Sequence, residues 1–219
     1  MLVGVPVLFS LEPRSRVEEL YDFRGELGEL VDVYNSGRVA VVLGLRRMGK
    51  SSLVRSFLNS YGIPHVMIDV RRIIINEGRV GVRGFFNELS RALSEFLERN
   101  EDFGGRLVKY LSRIRGVSVS LSPPSVSLSW GRTNRVPLTE LLNAINEVAE
   151  DLGRKVVLAI DEVQELRGIG LSIPTLVAYI YDNLGSVVTI ITGSQVGLCT
   201  MCWVSMSQIH HYMAGWLRK

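Results

Sequence analysis

Three short stretches of this chain hold residues whose types and spacing suit work on phosphate. The first is Gly44-Leu45-Arg46-Arg47-Met48-Gly49-Lys50-Ser51-Ser52, which fits G-x-x-x-x-G-K-[ST]. Glycines let a backbone curl until its N–H groups point at phosphate oxygens, and a following helix N-terminus adds partial positive charge. Lys50 would then reach the β- and γ-phosphates of a nucleotide, and the Ser51 hydroxyl would hold Mg2+. The second stretch is Asp161-Glu162, at the end of the apolar run 156–160. Asp161 is expected to orient Mg2+, through a water or Ser51, and Glu162 to polarise the water that attacks the γ-phosphate. The third follows the apolar run 187–191, where Thr192, Ser194 and Gln195 could each hydrogen-bond the γ-phosphate or the attacking water. Residue types do not choose among those three. Ser194 is carried with Lys50 and Glu162 as the expected catalytic set, and Ser51 with Asp161 as the expected metal ligands.

Each stretch also has a plainer explanation: a glycine-rich turn with a chance lysine, a buried strand emerging into water, a strand-to-loop turn built on Gly193. What separates the readings is context. Residues 39–43 form an apolar run suited to a strand buried on both faces, and Leu53, Val54, Phe57 and Leu58 follow the loop at helical spacing. That strand–loop–helix order is the setting a phosphate-binding loop needs. Parallel strands of an open α/β sheet present their carboxyl ends to one crevice, so Asp161 and Glu162 should face the phosphates held by Lys50, the arrangement called Walker B.

The other elements must position these three. Residues 20–30 give a partial helical face that feeds the first strand, and 65–70 read as a second strand with Asp69 and Arg71 at its end. His65 enters that strand alone and is read as packed or exposed, not as a ligand. Residues 85–99, 107–114, 138–152 and 174–184 read as helices, with Thr139 as an N-cap and Pro174 in a first turn. Between 117 and 130 the period changes: Val117, Val119 and Leu121, then Val126, Leu128 and Trp130, alternate with serines around Ser-Pro-Pro-Ser. That is a β-hairpin, expected to protrude as an insertion at about 116–131 because its serine face has little to bury. From 103 to 139 there are six basic residues, Arg106, Lys109, Arg113, Arg115, Arg132 and Arg135, and no acidic one. Such a stretch can be a solvated face, or it can touch nucleic acid or an acidic protein partner.

Composition bounds the class. With 219 residues, 47% apolar and 21% charged, the chain suits one α/β domain with ample core, and a net charge of +3 is too small to argue for nucleic acid. No stretch approaches the run of about 18 apolar residues that a membrane helix needs. Both cysteines, Cys199 and Cys202, lie near the end, which fits a reducing cytoplasm and no disulfide framework.

The stretches LFSLEPRSR, DFRGELGEL, VVLGLRRMGKSSL, MIDVR, VVLAIDEVQELRG, YIYDNLGSV and ITGSQVGL together resemble the archaeal P-loop ATPases allied to the AAA+ and STAND lineages. The resemblance covers most of residues 7–198. It implies a three-layer α/β/α fold of the ASCE kind, with the Walker B strand next to the P-loop strand and a sensor strand beside them. It implies ATP in preference to GTP, since no N-K-x-D base-reading motif is present, and Mg2+ with it. It also places Asp22 to Glu26 near the adenine, and matches Arg46 and Arg47 to the family's loop without fixing their role. Residues 1–198 are then expected to be the ATPase core and 199–219 an atypical tail, where the family has a lid and often a winged helix. The tail's abrupt shift in composition, with both cysteines, His210 and His211, suggests a replaced, truncated or frameshifted end; adjacent histidines suit one tetrahedral zinc poorly. The function expected is a Mg2+-dependent ATPase in a regulatory or DNA-associated role. The alternative is a nucleotide-gated binding module with negligible turnover. A degenerate remnant that binds nothing is opposed by intact Lys50, Ser51 and Asp161.

Overall fold

In chain order the first half runs α1 (Arg24–Ser36), β1 (Val39–Leu43), α2 (Lys50–Ser60), β2 (His65–Asp69), α3 (Val70–Glu77), α4 (Val82–Arg99) and α5 (Glu101–Leu111). The second half runs β3 (Val117–Leu121), β4 (Pro124–Leu128), α6 (Leu138–Asp151), β5 (Val156–Asp161), α7 (Ile173–Asn183) and β6 (Val187–Gly193). This computed structural model describes residues 23–37, 39–45, 48–131 and 135–194. The segment LFSLEPRSR, Asp22, Arg46, Arg47, Arg132, Gln195 and the tail 199–219 lie outside the described residues.

Four strands form one parallel sheet in the order β1-β6-β5-β2. β5 and β6 are buried along their whole length, as continuous apolar runs between two helical layers should be. On one face Val157, Ala159, Val188 and Ile190 pack with Leu53 and Phe57 of α2 and Leu27 of α1. On the other, Leu158, Ile160 and Ile191 join the larger core built with α3 to α7. The result is the expected three-layer α/β/α P-loop architecture. One detail is corrected: the Walker B strand β5 is not next to the P-loop strand β1, because β6 runs between them, with Val41 opposite Ile191 and Ile160 opposite Ile191 from the other side.

The serine-alternating ribbon forms as a hairpin, with Val119 paired to Val126. It does not protrude. Ser94 Oγ accepts the Val126 N–H at 2.8 Å and Ser90 Oγ accepts the Leu128 N–H at 3.0 Å, so α4 covers the free edge of β4. Val126 and Leu128 are buried against that helix while Ser125 and Ser127 face outward. The alternation was legible; the helix serines that satisfy the strand edge were not. Two further expectations shift: the helix read at 107–114 lies at Glu101–Leu111, and the N-cap of α6 is Pro137, not Thr139.

Helix α3 matters for the site because it starts where β2 ends. It leans on α4 at Gly84, where a Cβ would lie 2.4 Å from Ile73 Cγ2 and 2.7 Å from Glu77 Oε2. Gly84→Ala is therefore expected to destabilise the fold by about 1–3 kcal/mol, read from the urea midpoint. Gly105→Ala in α5, with nothing within 4 Å of its Cβ, should go the other way by up to about 1 kcal/mol, since alanine is the better helix former.

Candidate functional site

The phosphate-binding loop leaves β1 at Leu43 and enters α2 at Lys50. Gly49, the N-cap, sits at φ 80°, a left-handed conformation that glycine adopts without strain. The first turn of α2 therefore carries Lys50, Ser51 and Ser52, whose backbone N–H groups stand at the start of the helix, where such donors have no partner within the helix itself. Lys50 is buried, and its Nζ donates to Gly44 O at 3.0 Å and Leu45 O at 2.8 Å. The amine thus closes across the loop. Leu45 and Met48 turn their side chains outward, and the Phe23 ring at the start of α1 lies 3.5 Å from where a Gly49 Cβ would be.

Because β6 intervenes, the tips of β1 and β5 are two strand spacings apart, roughly 10 Å. The loop and the first turn of α2 bridge that gap. Ser51 Oγ donates to Asp161 Oδ1 at 2.9 Å. Asp161, with no exposed side-chain surface, also accepts from the Thr192 hydroxyl on β6 and from Arg71 Nη2, the latter at 2.9 Å. The same Thr192 oxygen accepts the Glu162 N–H at 3.1 Å. That bond steadies a residue held at φ 58°, ψ 48°, a conformation costing a non-glycine residue about 1–2 kcal/mol. The Glu162 carboxylate is almost fully buried; it accepts from the Gln164 amide and lies 3.9 Å from Arg71 Nη1.

The structure thus brings Lys50, Ser51, Asp161 and Glu162 to one crevice at the carboxyl ends of the strands. Of the three candidates left open on β6, Thr192 touches Asp161. Ser194 stands half-buried just past the strand end, and Gln195 lies outside the described residues. Gln164 and Arg71 were not assigned roles from sequence. Gln164 sits two residues past Glu162 in a single turn of 3-10 helix, Val163–Leu166, and its Oε1 is buried with no partner among the described residues.

Arg71 is placed by its neighbours. Asp69 caps α3, accepting the Arg71 N–H at 3.2 Å, and is itself held by Arg55 at 3.0 Å. Arg71 Nη2 then donates both to Ser51 Oγ at 2.8 Å and to Asp161 Oδ2. Burial pulls the guanidinium pKa down, but the charges of Asp161, Asp69 and Glu162 and the Asp161 hydrogen bond outweigh it and raise the pKa above the usual value.

The donor set fits Mg2+. A hydroxyl and a carboxylate in contact are hard oxygen ligands, and Mg2+ commonly uses one or two of these with phosphate and water completing the shell. Among the described residues no group of three His, Cys, Asp or Glu side chains could hold a metal by itself, and no helix is long and apolar enough to cross a membrane. Within the basic stretch, Arg135 stacks on Phe86 at 5.3 Å and Arg106 reaches Asp151 O at 3.5 Å.

Residues 33–198 match the family model described as AAA domain. The chain belongs to that AAA domain family. It is a P-loop, nucleotide-binding ATPase domain. Among solved structures, a Walker-type ATPase of Pyrococcus abyssi is similar at 28% identity and TM-score 0.67, over 92% of this chain and 53% of that one. Cdc6p of Pyrobaculum aerophilum, at 14% identity and TM-score 0.53 over 92% of this chain and 46% of that one, shares the fold. So does the Aeropyrum pernix ORC2 protein, solved in ADPNP–ADP complexes, at 13% identity and TM-score 0.51 over 87% and 45%. The AAA chain described here spans about half the length of these structures. No curated protein matches it in sequence.

Proposed function

We propose that this AAA domain binds ATP with Mg2+ and hydrolyses it to ADP and phosphate. The observation that carries the reading is the 2.9 Å contact between Ser51 and Asp161, made beside Lys50 on the same helical turn. In this reading Lys50 Nζ leaves Gly44 O and Leu45 O to contact the β- and γ-phosphates. Ser51 and Asp161 would hold Mg2+, which when bound draws off charge developing on the phosphoryl oxygens. Glu162 accepts the proton of the attacking water, Thr192 fixes both acidic residues, and Ser194 offers a hydroxyl toward the γ-phosphate. Gly44 to Ser52, Arg46 and Arg47 included, form the phosphate cradle.

A second reading, a nucleotide-gated module with negligible turnover, is favoured by one observation. The Glu162 carboxylate already accepts from the Gln164 amide and lies 3.9 Å from Arg71 Nη1, so an attacking water would have to share it with both. Either way the place of action is the cytoplasm, in a regulatory or DNA-associated role, with the 103–139 stretch as the surface for nucleic acid or protein.

Calorimetric titration with ATP, alongside phosphate release with Mg2+ and with EDTA, tests the reading. Binding with Mg2+-dependent release is expected. Tight binding without release would favour the module, and no binding in either medium would overturn both.

A further inference from the structure

Arg71 stands where a cation is wanted. One nitrogen, Nη2, bonds Ser51 Oγ at 2.8 Å and Asp161 Oδ2 at 2.9 Å. These are the residues proposed above as metal ligands. A buried carboxylate such as Asp161 is costly without a partner, and here the partner is a guanidinium that is half exposed. Its backbone is fixed: Asp69 caps the helix and Gly84 seats α3 on α4. The side chain alone is free to swing, with Asp69 Oδ1 already 4.0 Å from its Nε. A guanidinium and Mg2+ cannot occupy the same two oxygens together.

We propose that Arg71 is a placeholder for the divalent cation. It holds Ser51 and Asp161 in ligating position in the nucleotide-free chain and must swing out before metal–nucleotide can bind. The inference rests on the Mg2+–nucleotide reading of the site and deepens it. Entry of metal is then paid for by two charge-assisted hydrogen bonds, and bonds of that kind are strong enough to lower affinity on the order of tenfold. Arg71 acts as a positioning residue through Asp161, not as a group touching substrate.

The test compares the full 219-residue chain with Arg71→Ala, and with Arg71→Gln should the alanine variant fold poorly. Each is titrated calorimetrically with ADPNP in Mg2+ and again in EDTA, and each is melted with Mg2+ alone. The variants should bind ADPNP about tenfold more tightly than wild type in Mg2+ and equally in EDTA. Mg2+ alone should raise the melting temperature of the variants and leave wild type unmoved. A merely structural arginine would change affinity equally in both media, and that result overturns the proposal. So does a loss of affinity confined to Mg2+, which would make Arg71 a support for the bound metal and not an occupant of its place. If wild type binds ADPNP in neither medium, it is the nucleotide site itself that fails, and this proposal with it.

Discussion

Lys50→Ala is expected to weaken ATP binding roughly a hundredfold, since the amine would supply charge-assisted hydrogen bonds to the phosphates. Lys50 Nζ is held at the mouth of the loop by two carbonyl oxygens, Gly44 O and Leu45 O. Those acceptors are neutral and half open to water, so exchanging them for phosphate is favourable. The substitution leaves the left-handed cap at Gly49 and the apolar face of α2 intact, and Leu53, Val54 and Phe57 stay buried. The fold should therefore survive while binding falls. Calorimetric titration with ATP, paired with thermal melting, separates the two; an affinity within threefold of wild type would show that the amine does not meet the phosphates.

The second large effect is expected at Glu162. Glu162→Gln keeps the shape and the contact with Gln164 but removes the group that would take a proton, so kcat should fall about 10²- to 10⁴-fold. Binding should persist, because Glu162 contributes nothing to the Lys50–Ser51 grip on the phosphates. Single-turnover phosphate release on wild type and variant reads this directly. Equal rates in the two proteins would move the base elsewhere, and rates near zero in both would favour the binding module.

How far the residues foretold this arrangement depends on the range of the interaction. β5 was legible to its last residue because a strand buried on both faces writes itself as an unbroken apolar run. β1 and β2 were legible to within one residue, but as the sheet's edge strands they bury only alternate residues, so the expectation that 39–43 is buried on both faces does not hold. The phosphate-binding loop was legible because its geometry is local, two glycines and one helical turn. Strand order was not: nothing in Val187–Gly193 says that it inserts between β1 and β5. For the same reason Thr192 could not be preferred over Ser194, since only the register of β6 against β5 puts its hydroxyl on Asp161. Arg71 was noted at the end of β2 and given no task. Its contact with Ser51 spans 20 residues and with Asp161 spans 90, and no periodicity encodes either. The hairpin was read from its alternation but misplaced in space, because its support comes from Ser90 and Ser94 on another element.

The account turns on one oxygen pair, Ser51 and Asp161, being where the metal of a metal–nucleotide goes. Crystals grown with Mn2+ and ADPNP, with data collected at the manganese edge, would locate that metal by anomalous scattering. One peak at about 2.2 Å from Ser51 Oγ, adjoining Asp161, with the triphosphate against Lys50 and Arg71 turned away, is the predicted result. Nucleotide bound with its metal remote from both residues would contradict it.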